Sequence, residues 1–122
     1  MAREYLEQLS ALMQQIGGEK FSGVDIKCKH FFSGAAAYAN GRIFISLTPV
    51  GLALKLPPNS RKVLLQKKGA RPLRYFPKGP IKKEYVLLPE RMRRNLKDLQ
   101  HWISISIEHV LTLPASTKAK MK

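Results

Sequence analysis

The chain has 122 residues, 44% of them hydrophobic, enough for one domain with a real core. Its single cysteine, Cys28, excludes an intrachain disulfide, and no run approaches the ~18–20 apolar residues that span a bilayer. The formal net charge of +14 is unevenly placed: residues 1–54 and 98–122 carry +1 each, whereas 55–97 carry +12.

The N-terminal stretch MAREYLEQLSALMQQIGG has acids and glutamines where a secretory signal needs an unbroken apolar run, so a cytoplasmic protein is expected. Over Arg3–Ile16, Tyr5, Leu6, Leu9, Leu12, Met13 and Ile16 recur at spacings of three and four. That spacing predicts an amphipathic helix stopped by Gly17-Gly18. The helix should lie on a sheet, where Gly34, Ala35, Ala36 and Ala37 let a backbone come close. Period-two alternation through Val24, Ile26, Cys28 and His30 predicts a strand from about Asp25, with a bulge near Phe31 and Phe32.

The next stretch, Phe32–Pro57, organises the fold. Asn40-Gly41 favours a two-residue turn with positive φ at both positions, the strongest short-range hairpin signal. Counting outward sets Tyr38 opposite Ile43 and Ala36 opposite Ile45. A four-residue reversal at Thr48–Gly51 then brings Leu52, Leu54 and Leu56 onto the face of Ile43, Ile45 and Leu47. A slip of one residue would send them to the Phe44 face instead. The expectation is a three-stranded antiparallel meander.

Pro57-Pro58 ends the meander, and Asn59 or Ser60 suits an N-cap for a helix running to Lys68 and stopped by Gly69. Lys67 and Lys68 also suit the negative end of that helix. Arg71–Tyr75 and Ile81–Leu88 read as a second hairpin, with Tyr75 and Phe76 as hairpin core rather than a base-stacking platform. Pro89-Glu90 suits a helix start. From Leu96, the steps to Leu99, Ile103, Ile107 and Val110 predict a helix through the strand-like ISISI. The fold class expected is α+β: an antiparallel sheet built from hairpins, with flanking N-terminal, middle and C-terminal helices. One domain should cover 1–113, followed by a basic flexible tail at 114–122.

Catalytic parts are missing. The acids number eight, most on predicted exposed helix faces, and Ser33, Ser46 and Ser104 have no evident His and Asp partners. Cys28-x-His30 falls short of the four ligands zinc wants, and His101 and His109 stand apart from it. Lys78-Gly79 lacks the glycines and Ser/Thr of a phosphate loop. A non-catalytic protein with no metal or cofactor is expected.

The order of these motifs carries a resemblance. Phe32-Ser33-Gly34, Asn40-Gly41-Arg42-Ile43-Phe44, Leu52-Ala53-Leu54-Lys55, Tyr85-Val86-Leu87-Leu88-Pro89 and Leu99-Gln100-His101-Trp102 together resemble the N-terminal domain of the TfoX (Sxy) competence-regulator family. Ser33 and Ala36 depart slightly from the glycine-rich pattern usual there. The resemblance implies a compact α+β domain with no agreed catalytic residues. In the best-known members a second helical domain follows, and the pair promotes transcription of DNA-uptake genes with the cyclic-AMP receptor protein. Within these 122 residues no such second domain is expected.

A basic block on a near-neutral chain attracts polyanions by counterion release, without sequence preference. The expected contacts to phosphate or an acidic surface are Arg61, Lys62, Lys67, Lys68, Arg71, Arg74, Lys78, Lys82, Lys83, Arg91, Arg93 and Arg94. The partner would be DNA, RNA or an acidic protein, with no membrane involved. No helix-turn-helix is evident, so base-specific reading is not expected. The alternative is a homodimer module built on a sheet edge or an apolar helix face, with the charge serving only solubility.

Overall fold

The structure, a computed structural model, describes residues 2–17, 23–31, 33–74 and 78–113. The elements follow as α1 (Ala2–Gly17), β1 (Ile26–Phe31), β2 (Gly34–Ala39), β3 (Arg42–Thr48), β4 (Gly51–Lys55) and α2 (Pro58–Leu65). Then come β5 (Arg71–Leu73), β6 (Lys82–Leu87), α3 (Glu90–Arg93) and α4 (Leu96–Leu111). The strands form one antiparallel six-stranded sheet in the order β1-β2-β3-β4-β6-β5. The α+β class expected from sequence is the class observed.

The Asn40-Gly41 turn forms with positive φ at both residues, 49° and 82°. Asn40 also anchors the lead into β1, its Oδ1 accepting from the Asp25 amide at 2.8 Å. Tyr38 does face Ile43, but Ala37, not Ala36, faces Ile45. The reason is a β-bulge that makes Phe44 an extra residue on β3. Ile43 therefore falls on the Tyr38 face, and Ile45 and Leu47 turn to the other. Past the bulge the expected register holds, with Leu52 opposite Leu47 and Leu54 opposite Ile45.

The two faces differ in character. Cys28, Ala37, Ile45, Leu54 and Val86 form one row across five strands. That face carries the core: Leu9, Met13 and Ile16 from α1 and Leu99, Ile103, Ile107 and Val110 from α4 are buried with it. Alanines at 35, 37 and 39 let α1 pack close over β2. Tyr5, Leu6 and Leu12 are partly buried beside them, completing the stripe read from the spacing. Gln100 Nε2 donates to the Ile16 carbonyl at 3.1 Å, satisfying one of the free carbonyls at the end of α1. The Gly18 half of the expected stop lies outside the described residues, as do Phe32, Tyr75, Phe76 and the tail at 114–122.

Three helix expectations need correction. No side chain caps α2: Pro57 is its N-cap and Pro58 its first helical residue, so proline fixes the entry rather than Asn59 or Ser60. The helix stops at Leu65 instead of Lys68, and residues 66–70 form turns closed by Lys67 N→Leu64 O and Ala70 N→Lys67 O. Gly69, at φ 91°, completes that reversal. The C-terminal helical region is split in two by Asn95, whose side chain accepts from the Asp98 amide at 3.2 Å. Leu96, read as the start of the apolar stripe, is 45% exposed because α4 turns Leu99, Trp102 and Ile103 inward instead.

Both sheet edges are guarded. β1 carries exposed Lys27 and Lys29, and β5 carries Arg71 and Pro72, residues that discourage edge-to-edge pairing. Among the described residues, no helix is long and apolar enough to cross a membrane.

Candidate polyanion-binding surface

The basic block builds one end of the sheet. α2 packs on β6, β6 joins β4 to the edge strand β5, and α3 follows β6 directly. Chain order alone does not dictate this closeness, because β5 and β6 dock by their second strand. That inversion carries Arg71 outward, opposite Leu87 on the outermost ladder.

Two of the expected contacts are drawn together by backbone bonds. The Arg61 guanidinium donates to the Lys83 carbonyl, tying α2 to β6. Arg91 NH1 donates to the Lys68 carbonyl at 2.7 Å, tying α3 to the turn after α2. Pro89 backs that same turn, since a Cβ on Gly69 would meet the Pro89 Cβ at 3.1 Å. Lys67, Lys68, Arg71 and Arg91 are all exposed around it. Within the β5–β6 hairpin, Arg74 NH1 donates to the Gly79 carbonyl at 3.3 Å, with Lys78 and Lys82 exposed. Lys62 is exposed on α2 and Arg94 caps α3. Arg93 goes elsewhere: it pairs with Glu90 at 3.3 Å and lines a groove with Gln8, Gln15 and Leu99 against α1.

The chemistry of these bonds matters more than their number. A guanidinium bonded to a carbonyl is oriented, yet its charge is not neutralised. Arg61, Arg74 and Arg91 are all held this way. The block's only two acids are already engaged, Glu84 with Lys55 at 3.3 Å and Glu90 with Arg93. The block's remaining cations are therefore not cancelled by its own acids, and their field is positive.

One histidine reports on that field. His109 on α4 is held below the usual imidazole value of 6.5, first by desolvation and then by the Lys55 and Arg61 charges; Glu84 pulls it back up. Removing the carboxylate in Glu84→Gln should lower the His109 midpoint further, and Arg61→Ala should raise it. A proton NMR titration of the imidazole checks both signs. Between the folded value and 6.5 the unfolded chain holds a proton that the folded chain lacks, so stability falls as pH drops through that window.

Sequence reading missed this four-element neighbourhood of Lys55, Arg61, Glu84 and His109, because its members are far apart along the chain. It also missed Ser106, whose fully buried hydroxyl lies 2.6 Å from the Lys55 carbonyl and 3.0 Å from the Phe44 carbonyl. Cys28 is half-buried, and burial pushes its thiol pKa up, with a hydrogen bond from Ser10 acting against that. A raised thiol is a poor nucleophile at neutral pH. Among the described residues no group of three or more His, Cys, Asp or Glu is placed to hold a metal ion.

A small antiparallel sheet with helices over one face and a cationic end defines an α+β domain. Residues 20–110 match the model of the TfoX N-terminal domain. The chain belongs to that family, and α1 stands ahead of the matched region. No curated protein matches the chain.

Proposed function

We propose that this chain is a non-catalytic regulatory domain that meets an anionic partner through α2, the β5–β6 hairpin and α3. The observation that carries this reading is the arrangement of Arg61, Arg74 and Arg91. Each is fixed by a backbone carbonyl, and among the described residues none of the three forms an ion pair within 4 Å. Fixed, uncompensated guanidiniums are suited to phosphate or carboxylate groups, because little side-chain order remains to be gained on binding. A charge serving only solubility would need no such fixing. Family membership is consistent with a regulatory or adaptor role.

The test is titration with duplex DNA and with polyglutamate over a salt series. If about six anionic groups are engaged, affinity for DNA should fall by about a thousandfold between 50 and 200 mM salt. Binding that is absent at low salt, or that ignores salt, contradicts the proposal.

A further inference from the structure

The cationic end is also where apolar surface is left uncovered. Among the described residues, the exposed large hydrophobics are Val63 at 53%, Leu65 at 39%, Ile81 at 41% and Leu96 at 45%. All four lie within residues 55–97, the +12 segment. One exposed valine would be ordinary, but Val63 and Leu65 sit two residues apart on the same short helix.

Helix geometry fixes how they are presented. Leu64 is fully buried, so its side of α2 faces the core. At 100° per residue, Lys62 and Gln66 then point outward, with Val63 and Leu65 on the two shoulders. Lys67 stands one turn from Val63, and Arg61 one turn from Leu65. The helix itself contains no acid. Its outward face thus carries Lys62 and Gln66 along the crest and apolar Val63 and Leu65 on the shoulders, with Lys67 in the turn just past the helix end.

A nucleic-acid backbone would satisfy the cations and leave the shoulders unused, since its phosphates and sugars offer no apolar side chains. A segment carrying carboxylates between large apolar residues would use both. We infer that the outward face of α2 docks an acidic, apolar-bearing segment of a partner protein, with Lys62 and Lys67 meeting its carboxylates and Val63 and Leu65 its apolar side chains. This rests on the anionic-partner reading above and names the kind of partner.

The full chain is titrated, at one salt concentration, with three probes of equal charge. These are a glutamate-rich peptide interspersed with leucine and phenylalanine, polyglutamate, and duplex DNA. The mixed peptide should bind at least about tenfold more tightly than polyglutamate, on the scale of one or two buried apolar side chains. Val63→Ser combined with Leu65→Ser should abolish that margin while leaving polyglutamate binding unchanged. Both positions are exposed, so the variant should keep its circular dichroism spectrum and melting temperature. Equal binding of the two peptides, or a margin that survives the double substitution, overturns the inference and leaves the anionic-partner reading standing. DNA as the tightest probe, with no response to the substitutions, likewise favours nucleic acid over a protein segment. Failure of all three probes to bind overturns both readings.

Discussion

Gly34→Ala is expected to destabilise the domain by on the order of 3 kcal/mol, the upper end of what overpacking usually costs. A Cβ built at this position would lie 2.1 Å from the Leu47 carbonyl oxygen and 2.8 Å from the Thr48 Cα. Both are backbone atoms of the neighbouring strand, so no side chain can rotate away to make room. Relief would require β2 and β3 to separate at the very place where β2 begins. The glycine of Phe32-Ser33-Gly34 thus has a steric reason, independent of any turn conformation. Gly41 makes the control: its φ is 82°, but nothing lies within 4 Å of an added Cβ. Alanine there should cost only the left-handed backbone, about 1 kcal/mol. Urea unfolding of the two variants checks the order, and a Gly34→Ala loss below that of Gly41→Ala would refute the steric argument.

Ser106→Ala should cost about 1–3 kcal/mol, the penalty for leaving buried polar groups without a partner. Ser106 is fully buried on α4, and its one hydroxyl hydrogen is shared between the carbonyls of Phe44 and Lys55. Phe44 is the bulged residue of β3, and a bulge leaves its residue out of the regular ladder. Lys55 closes β4 just before the chain leaves for α2. One hydroxyl therefore supports both the irregularity that sets the sheet's faces and the exit toward the cationic end. The exposed neighbour position Glu108 makes a control, where Glu108→Ala should change stability by less than about 0.5 kcal/mol. Equal urea midpoints for the two variants would remove Ser106 from its structural role.

The same two residues show what was legible in the sequence. The hairpin at Asn40-Gly41 could be read because two adjacent residues decide it locally. The pairing of Leu47 with Leu52 followed from turn length. The bulge at Phe44 could not be read, since its support comes from Ser106, 62 positions away. Residues of the ISISI segment pointed to a helix by periodicity, but nothing in that period distinguishes a serine facing solvent from one facing a carbonyl. Likewise the cationic block was visible as composition, whereas its fixing was not. Arg61 and Arg91 reach backbone carbonyls more than twenty residues distant, and a carbonyl leaves no trace in residue type. Arg93 is the sharpest case. Its place in the sequence puts it with Arg91 and Arg94, but one short helical turn directs it to Glu90 and the α1 groove.

The central claim concerns where an anionic partner touches this domain, and amide chemical shifts measured during a polyglutamate titration test it most directly. The account predicts movement at Arg61, Lys62, Lys67, Lys68, Arg71 and Arg91, fading as salt is raised, with α1 and β1 unmoved. Shifts centred on α1 and β1, or spread evenly over both ends of the sheet, would contradict it.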